Sequence, residues 1–248
     1  MGLNVTKNLR KGKKVEEVYD QIKRMIYLNE LAPGQKLVYH DLADRLKTST
    51  TPVIQALKGL ERSNFVRYVP NKGYFVGEIT ESEATDLFQA REAIETFIVP
   101  FVLERMNSNR MRCLRNTYRE YQKATRPEDR RVRMIQDAAF HLNIAEYSDN
   151  KVIQSLLKGV FEHIYLRYRP EYLWEERLKQ ADEEHRAILK AIEEGSVEKV
   201  QKLMRKHIHN GLSNIIRHLQ TRQSDFAGPI AFERLTSSYS EIETTISK

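Results

Sequence analysis

The sequence predicts a mainly α-helical chain in two parts: three helices with a β-hairpin, then an all-helical bundle. Three observations predict it. Apolar residues recur at helical spacing along most of the chain. One early segment, rich in β-branched and aromatic residues on either side of a turn, departs from that pattern. Positive charge sits in the first third, where residues 1–80 hold 14 Lys or Arg against 8 Asp or Glu, a net of +6 in a chain of net +7. A basic small unit beside a nearly neutral larger one predicts a polyanionic partner for the first. At 248 residues the chain can bury two cores.

The first unit spans residues 11–79. Val15, Val18, Ile22, Met25 and Ile26 form one face of a first helix. Pro33-Gly34 breaks the chain, and Leu42, Ala43 and Leu46 line a short second helix. Thr48-Ser49-Thr50-Thr51-Pro52 then supplies hydroxyls able to cap a new helix, with a proline tolerated in its first turn. Val53, Ala56, Leu57 and Leu60 face inward from that third helix. Phe65–Val69 and Gly73–Val76 flank Pro70-Asn71-Lys72-Gly73 and read as a β-hairpin. Three helices and a hairpin in this order make a winged helix-turn-helix, whose third helix enters the DNA major groove.

Leu31-Ala32-Pro33-Gly34-Gln35-Lys36-Leu37, Leu42-Ala43, Ser49 through Leu57, and the wing Asn71-Lys72-Gly73-Tyr74-Phe75-Val76 resemble the GntR family of bacterial repressors. The resemblance implies a DNA-contacting set of His40, Arg45, Lys47, Ser49, Thr50, Thr51, Ile54, Gln55, Lys58, Arg67, Lys72 and Gly73. Relatives carry arginine where this chain has Thr50 and Ile54, and often where it has His40. Arginine reads guanine with two hydrogen bonds, so its absence predicts altered base readout. Arg45, Lys47, Lys58, Arg67 and Lys72 remain for phosphate anchoring.

Residues 80–222 show no strand pattern. Breaks near Asn107-Ser108, Arg126-Pro127, Ser148-Asp149-Asn150, Pro170 and Gly195-Ser196 divide them into about six helices. Pro127 suits a helix start, and Pro100 should kink or split the helix containing it. Residues 223–248, rich in Ser and Thr, read as a weakly ordered tail.

Three apolar stripes carry polar residues. Asp137 and His141 share one face, His185 lies with Ala181, Ile188 and Ile192, and His207 lies with Val200 and Met204. Burying them costs several kcal/mol unless each finds a partner. Separate hydrogen bonds would suffice for each, and one shared divalent ion, Zn, Ni, Fe or Mn, would serve all four. Arg91, inward on the stripe of Leu87, Ile94 and Ile98, needs an anion, either a bound carboxylate or an internal partner such as Glu95 or Glu162.

Asp137-Ala138-Ala139-Phe140-His141, Glu184-His185-Arg186-Ala187-Ile188-Leu189 and Met204-Arg205-Lys206-His207-Ile208 resemble the metal-binding form of the FadR-type C-terminal domain called FCD. Arg91-Glu92-Ala93-Ile94-Glu95 and Ser148-Asp149-Asn150 extend the likeness. It implies Asp137, His141, His185 and His207 as metal ligands, Arg91 and Asn150 as effector-binding residues, a C2 homodimer, and a small carboxylate effector.

The expected function is a DNA-binding transcription regulator acting on a palindromic operator. Alternatives are a metal-dependent enzyme acting on nucleic acid, or a regulator whose metal is purely structural. The sequence has no His-Glu-x-x-His string, phosphate-binding glycine loop or nucleophile elbow, and so no catalytic residue is assigned. A single Cys113, no signal-peptide stretch and no bilayer-length apolar run suit a cytoplasmic protein with no membrane partner.

Overall fold

The computed structural model describes residues 2–124, 129–170 and 173–227. Its order is α1 (Gly2–Tyr27), β1 (Lys36–Leu37), α2 (Tyr39–Arg45), α3 (Thr50–Arg62), β2 (Val66–Val69), β3 (Gly73–Val76), α4 (Glu81–Phe97), α5 (Val99–Glu104), α6 (Ser108–Lys123), α7 (Arg130–Glu146), α8 (Lys151–Arg167), α9 (Glu175–Glu193) and α10 (Val197–Ala227). The two-part plan read from the sequence is present: a winged helix-turn-helix, then helices alone.

In the first part, Ile22, Ile26, Val53, Leu57 and Leu60 are fully buried, so α1 and α3 pack face to face over Phe65 and Val76. β3 pairs antiparallel with β2 from Val66↔Val76 to Val69↔Gly73. Gly73 has φ +92°, a left-handed conformation that glycine adopts without penalty, and it closes the wing. The structure adds a third strand: β1 pairs with the other edge of β3, Leu37 opposite Tyr74. Two residues are too few for alternation to mark a strand. The first helix also begins well before Val15, at Gly2.

The second part holds seven helices among the described residues, α4 to α10, against about six expected, because the helix that Pro100 was expected to kink or split is divided into α4 and α5. Thr80 opens α4 with a capping box: its hydroxyl accepts from Glu83 N at 3.2 Å, and the Glu83 carboxylate accepts from Thr80 N at 3.0 Å. Asn107 caps α6 through Asn109 N and Arg110 N. Gly195 (φ +71°) ends α9 as its sequence suggested. The predicted start at Pro127 and residues 228–248 of the predicted tail lie outside the described residues. The first residues of that tail continue α10 to Ala227.

The two parts are joined by the end of α8. Leu166 is buried in the N-terminal core. Arg167 accepts from Ile79 N at 3.3 Å through its carbonyl and donates to the Glu83 carboxylate at 2.7 Å. Arg131 of α7 donates to the carbonyls of Ile26 (3.0 Å) and Tyr27 (2.5 Å) at the end of α1, and also to that of Tyr165. Lys23 pairs with Glu162 at 2.8 Å, and Phe65 stacks on His163 with ring centroids 4.8 Å apart.

This contact should respond to acid. Burial, reinforced by the Arg167 cation, holds the His163 pKa below its ordinary 6.5. The neutral ring is therefore the one the folded contact prefers, so nothing is lost above pH 6.5, and stability falls as the pH drops from there toward the depressed value. Thermal midpoints measured over about pH 5 to 7 should fall more steeply for the wild type than for His163→Gln. Parallel curves would remove this ring from the docking energetics.

Candidate metal centre and nucleic-acid interface

Four predicted side chains converge between α7, α9 and α10. The ligating atoms of Asp137, His141, His185 and His207 all lie within 4.8 Å of one another. His141 Nε2 is 3.1 Å from His207 Nε2 and 3.3 Å from His185 Nε2, and Asp137 Oδ1 is 3.2 Å from His185 Nε2. Tetrahedral coordination with bonds of about 2.1 Å spaces its ligands about 3.4 Å apart, close to these separations. The three imidazoles are buried, and the Asp137 side chain is 19% exposed.

The outer faces of two rings explain the inner ones. His207 Nδ1 lies 2.8 Å from Glu184 Oε2, and His141 Nδ1 makes a close, bent contact of 2.5 Å with Glu95 Oε2. A carboxylate only accepts, so both contacts favour the tautomer with its proton on Nδ1 and a lone pair on Nε2. Two lone pairs then face each other across 3.1 Å. A cation between them relieves that repulsion.

The electrostatics agree with a ligand set. Burial pushes the His185 pKa down, and burial with the neighbouring imidazoles pushes His207 further down, which keeps both rings neutral as metal binding requires. Burial opposes the charge of Asp137, but the His185 hydrogen bond and the surrounding imidazoles outweigh it and hold the carboxyl well below its usual range. Tyr165 donates to Asp137 Oδ2 from α8.

A cavity of about 80 Å³ adjoins this cluster, with Asp137 and His207 in its wall beside Arg91, Tyr165, Arg177 and Asn214. One water needs about 10–15 Å³ measured this way, so the space suits several waters or one small molecule. Arg91 takes the internal partner considered from the sequence: its Nε donates to Glu95 Oε1 at 2.7 Å. Glu162, the other candidate, pairs with Lys23 instead. The pairing leaves Arg91 Nη2 buried without a hydrogen-bond partner. Its guanidinium is clamped over Phe161 at 4.4 Å.

Asn150 takes a different place from the one the resemblance implied. It is exposed, does not line the cavity, and uses its side-chain oxygen to cap α8 at Val152 N and Ile153 N, both 3.1 Å. Stripe reading gave Glu95 only as a partner for Arg91 and missed Glu184 and Tyr165; the three contact His141, His207 and Asp137 in turn. Glu95 stood four residues beyond Arg91 and Glu184 beside His185, which was the available signal. Nothing distinguished Tyr165 from an ordinary core aromatic.

At the other end of the molecule, His40, Ile54, Lys58, Lys72 and Gly73 line one open groove between α3 and the wing, together with Tyr39 and Tyr68. Thr51 and Gln55 are exposed on α3, and Thr50 is partly so. Ser49 occupies the N-cap position of α3, but its hydroxyl makes no capping bond. Lys47 sits in the turn before it with φ +50°. Arg45 is paired with Glu30, and Arg67 lies 5.3 Å over the Phe75 ring.

Residues 14–76 match the family described as bacterial regulatory proteins, gntR family, and residues 86–210 match the FCD domain. The chain is similar to an uncharacterized HTH-type transcriptional regulator, YdhC, of Bacillus subtilis, with 20% identity over 80% of this chain and 89% of the relative. It is similar to the Nta operon transcriptional regulator of Aminobacter aminovorans, with 23% identity over 78% and 93%. The fold matches that of E. coli McbR/YncC with a TM-score of 0.66 at 20% identity, covering 82% of this chain and 97% of that one. The chain belongs to the GntR family of DNA-binding transcriptional regulators and carries an FCD domain. Among the described residues no helix is long and apolar enough to cross a membrane.

Proposed function

We propose that this regulator is a homodimer whose grip on a palindromic operator is set by a small carboxylate bound beside a divalent ion in the C-terminal domain. One observation carries the reading. The same cavity is walled by two members of the candidate ligand set, Asp137 and His207, and by Arg91, whose Nη2 lacks a partner. Asp137, His141, His185 and His207 would hold the ion, of the Zn, Ni, Fe or Mn group, which would attract a carboxylate oxygen as a Lewis acid. Arg91 would hold the ligand's negative charge through its remaining donors.

The cavity connects to the DNA-binding part through three consecutive residues. Tyr165 touches Asp137, Leu166 is buried in the N-terminal core, and Arg167 holds Ile79 and Glu83. An effector alters DNA binding only by favouring one arrangement of these parts over another. Phe97 and Phe101 stay exposed on α4 and α5, with Val152 and Leu156 exposed on α8, an apolar surface that suits a second copy. The reading carries with it a protein that works in the cytoplasm, where its DNA would lie.

The test is a DNA titration against salt. Wild-type affinity should fall steeply as salt rises, and Lys58→Ala and Lys72→Ala should each weaken binding to all duplexes alike and reduce the log–log salt slope by about 1. Addition of carboxylates to the metal-loaded protein should shift the affinity. A salt-independent interaction, or carboxylates without effect at any concentration, would count against the reading.

A further inference from the structure

We infer that the base pairs beneath α3 are read as A·T pairs, with Ile54 packed on a thymine methyl group and Gln55 paired with adenine. The inference deepens the DNA-binding reading and rests on α3 entering the major groove.

The chemistry exposed on the first two turns of α3 carries it. Pro52, Val53, Ala56 and Leu57 are buried, so the helix presents Thr50, Thr51, Ile54 and Gln55 outward. No cation precedes Lys58 on this helix. Recognition helices meet base edges with their N-terminal residues. Guanine offers two acceptors there and is met best by the arginine fork or by lysine, neither of which stands among these four residues. Adenine offers an acceptor beside a donor, and a glutamine amide matches both. Thymine alone of the four bases offers a methyl group, and apolar side chains recognise it.

The surroundings point the same way. Ile54 lines the groove together with Val38, Tyr39 and Tyr68, and these three are 39%, 41% and 51% exposed. So much uncovered apolar surface beside a cationic wing is costly in water and is relieved by an apolar partner. A guanine–cytosine pair has no methyl group to supply.

The test begins by selecting duplexes from a random pool with the full-length protein. Each thymine of the selected site is then replaced by deoxyuridine, which removes only the methyl group. Wild type should lose about fourfold in affinity at one thymine per half-site, the worth of one buried methyl-sized group. Ile54→Ser and Ile54→Asn, with thermal midpoints checked against wild type, should lose nothing further at that position. Replacing the neighbouring adenine by 7-deazaadenine should weaken wild type and spare Gln55→Ala. A selected site with G·C pairs beneath α3, or deoxyuridine losses equal in wild type and both Ile54 variants, would overturn the inference while leaving DNA binding intact. A pool from which no site is enriched would overturn the operator reading along with it.

Discussion

Chelation should lower the melting temperature of this regulator by roughly 10 °C. A ligand present at a thousand times its dissociation constant stabilises the folded state by about 4 kcal/mol. Each kcal/mol moves the midpoint of a chain this size by about 2–4 °C. The loss has a structural cause beyond mass action. Without a cation, the Nε2 atoms of His141 and His207 confront each other at 3.1 Å while Glu184 and Glu95 hold protons on their far sides. His185→Ala should lower the midpoint and leave it low in excess metal, because one ligand of four is gone. The lost ring also opens a hole against Tyr121 and Phe140, which pack on it at centroid distances of 4.6 and 4.7 Å. Metal analysis separates the two effects. Protein purified without a nickel column should carry about one ion per chain, and the variant should carry far less. No ion above background, together with a midpoint indifferent to chelator, would leave the three histidines as hydrogen-bonded core residues.

The distinction between ligand and core histidine shows where the sequence was legible. Asp137, His141, His185 and His207 fell on buried stripes because helical period alone decides which side of a helix a residue occupies, and that much is local. The hairpin was equally local, since Asn71-Lys72-Gly73 demands a turn whatever surrounds it. What the sequence could not display was which stripe meets which. The apolar face of α8 reads like any other, yet Leu166 belongs to the N-terminal core while Phe161, one and a half turns earlier, belongs to the C-terminal one. The contacts of Glu95 and Glu184 with imidazoles were hidden for the same reason. A carboxylate on a helix is ordinarily solvated, and only the packing of α4 and α9 against their neighbours turns these two toward imidazole nitrogens. Asn150 is the opposite case. Its place after Ser148-Asp149 suggested a role in the site, but an asparagine before a helix has a nearer use in capping it.

Arg91→Met should cost about 3–5 kcal/mol of stability, whereas Arg91→Lys should leave the fold nearly intact and still weaken carboxylate binding at least tenfold. The first expectation follows from burial. The Arg91 and Glu95 side chains are 4% and 2% exposed, and Glu95 is held ionised, its pKa near 2, against the cost of burial by Arg91 first and His141 second. Removing the guanidinium strands that carboxylate, which is the costly way to break a buried pair. The second expectation follows from shape. Lysine restores the charge beside Glu95, but its compact ammonium, drawn to that carboxylate, lacks the planar fork that carries the Arg91 Nη2 edge toward the cavity. Stability and sensing therefore separate in one residue. The measurement is calorimetric titration of lactate, malate and citrate into wild type, metal-free protein and Arg91→Lys, each first shown to be folded. Wild type should bind at least one of the three, and binding should weaken at least tenfold in both other samples, the worth of one charge-assisted hydrogen bond of about 1.5–3 kcal/mol. Equal affinity in all three samples would place the carboxylate elsewhere and leave Arg91 as a structural partner of Glu95 alone.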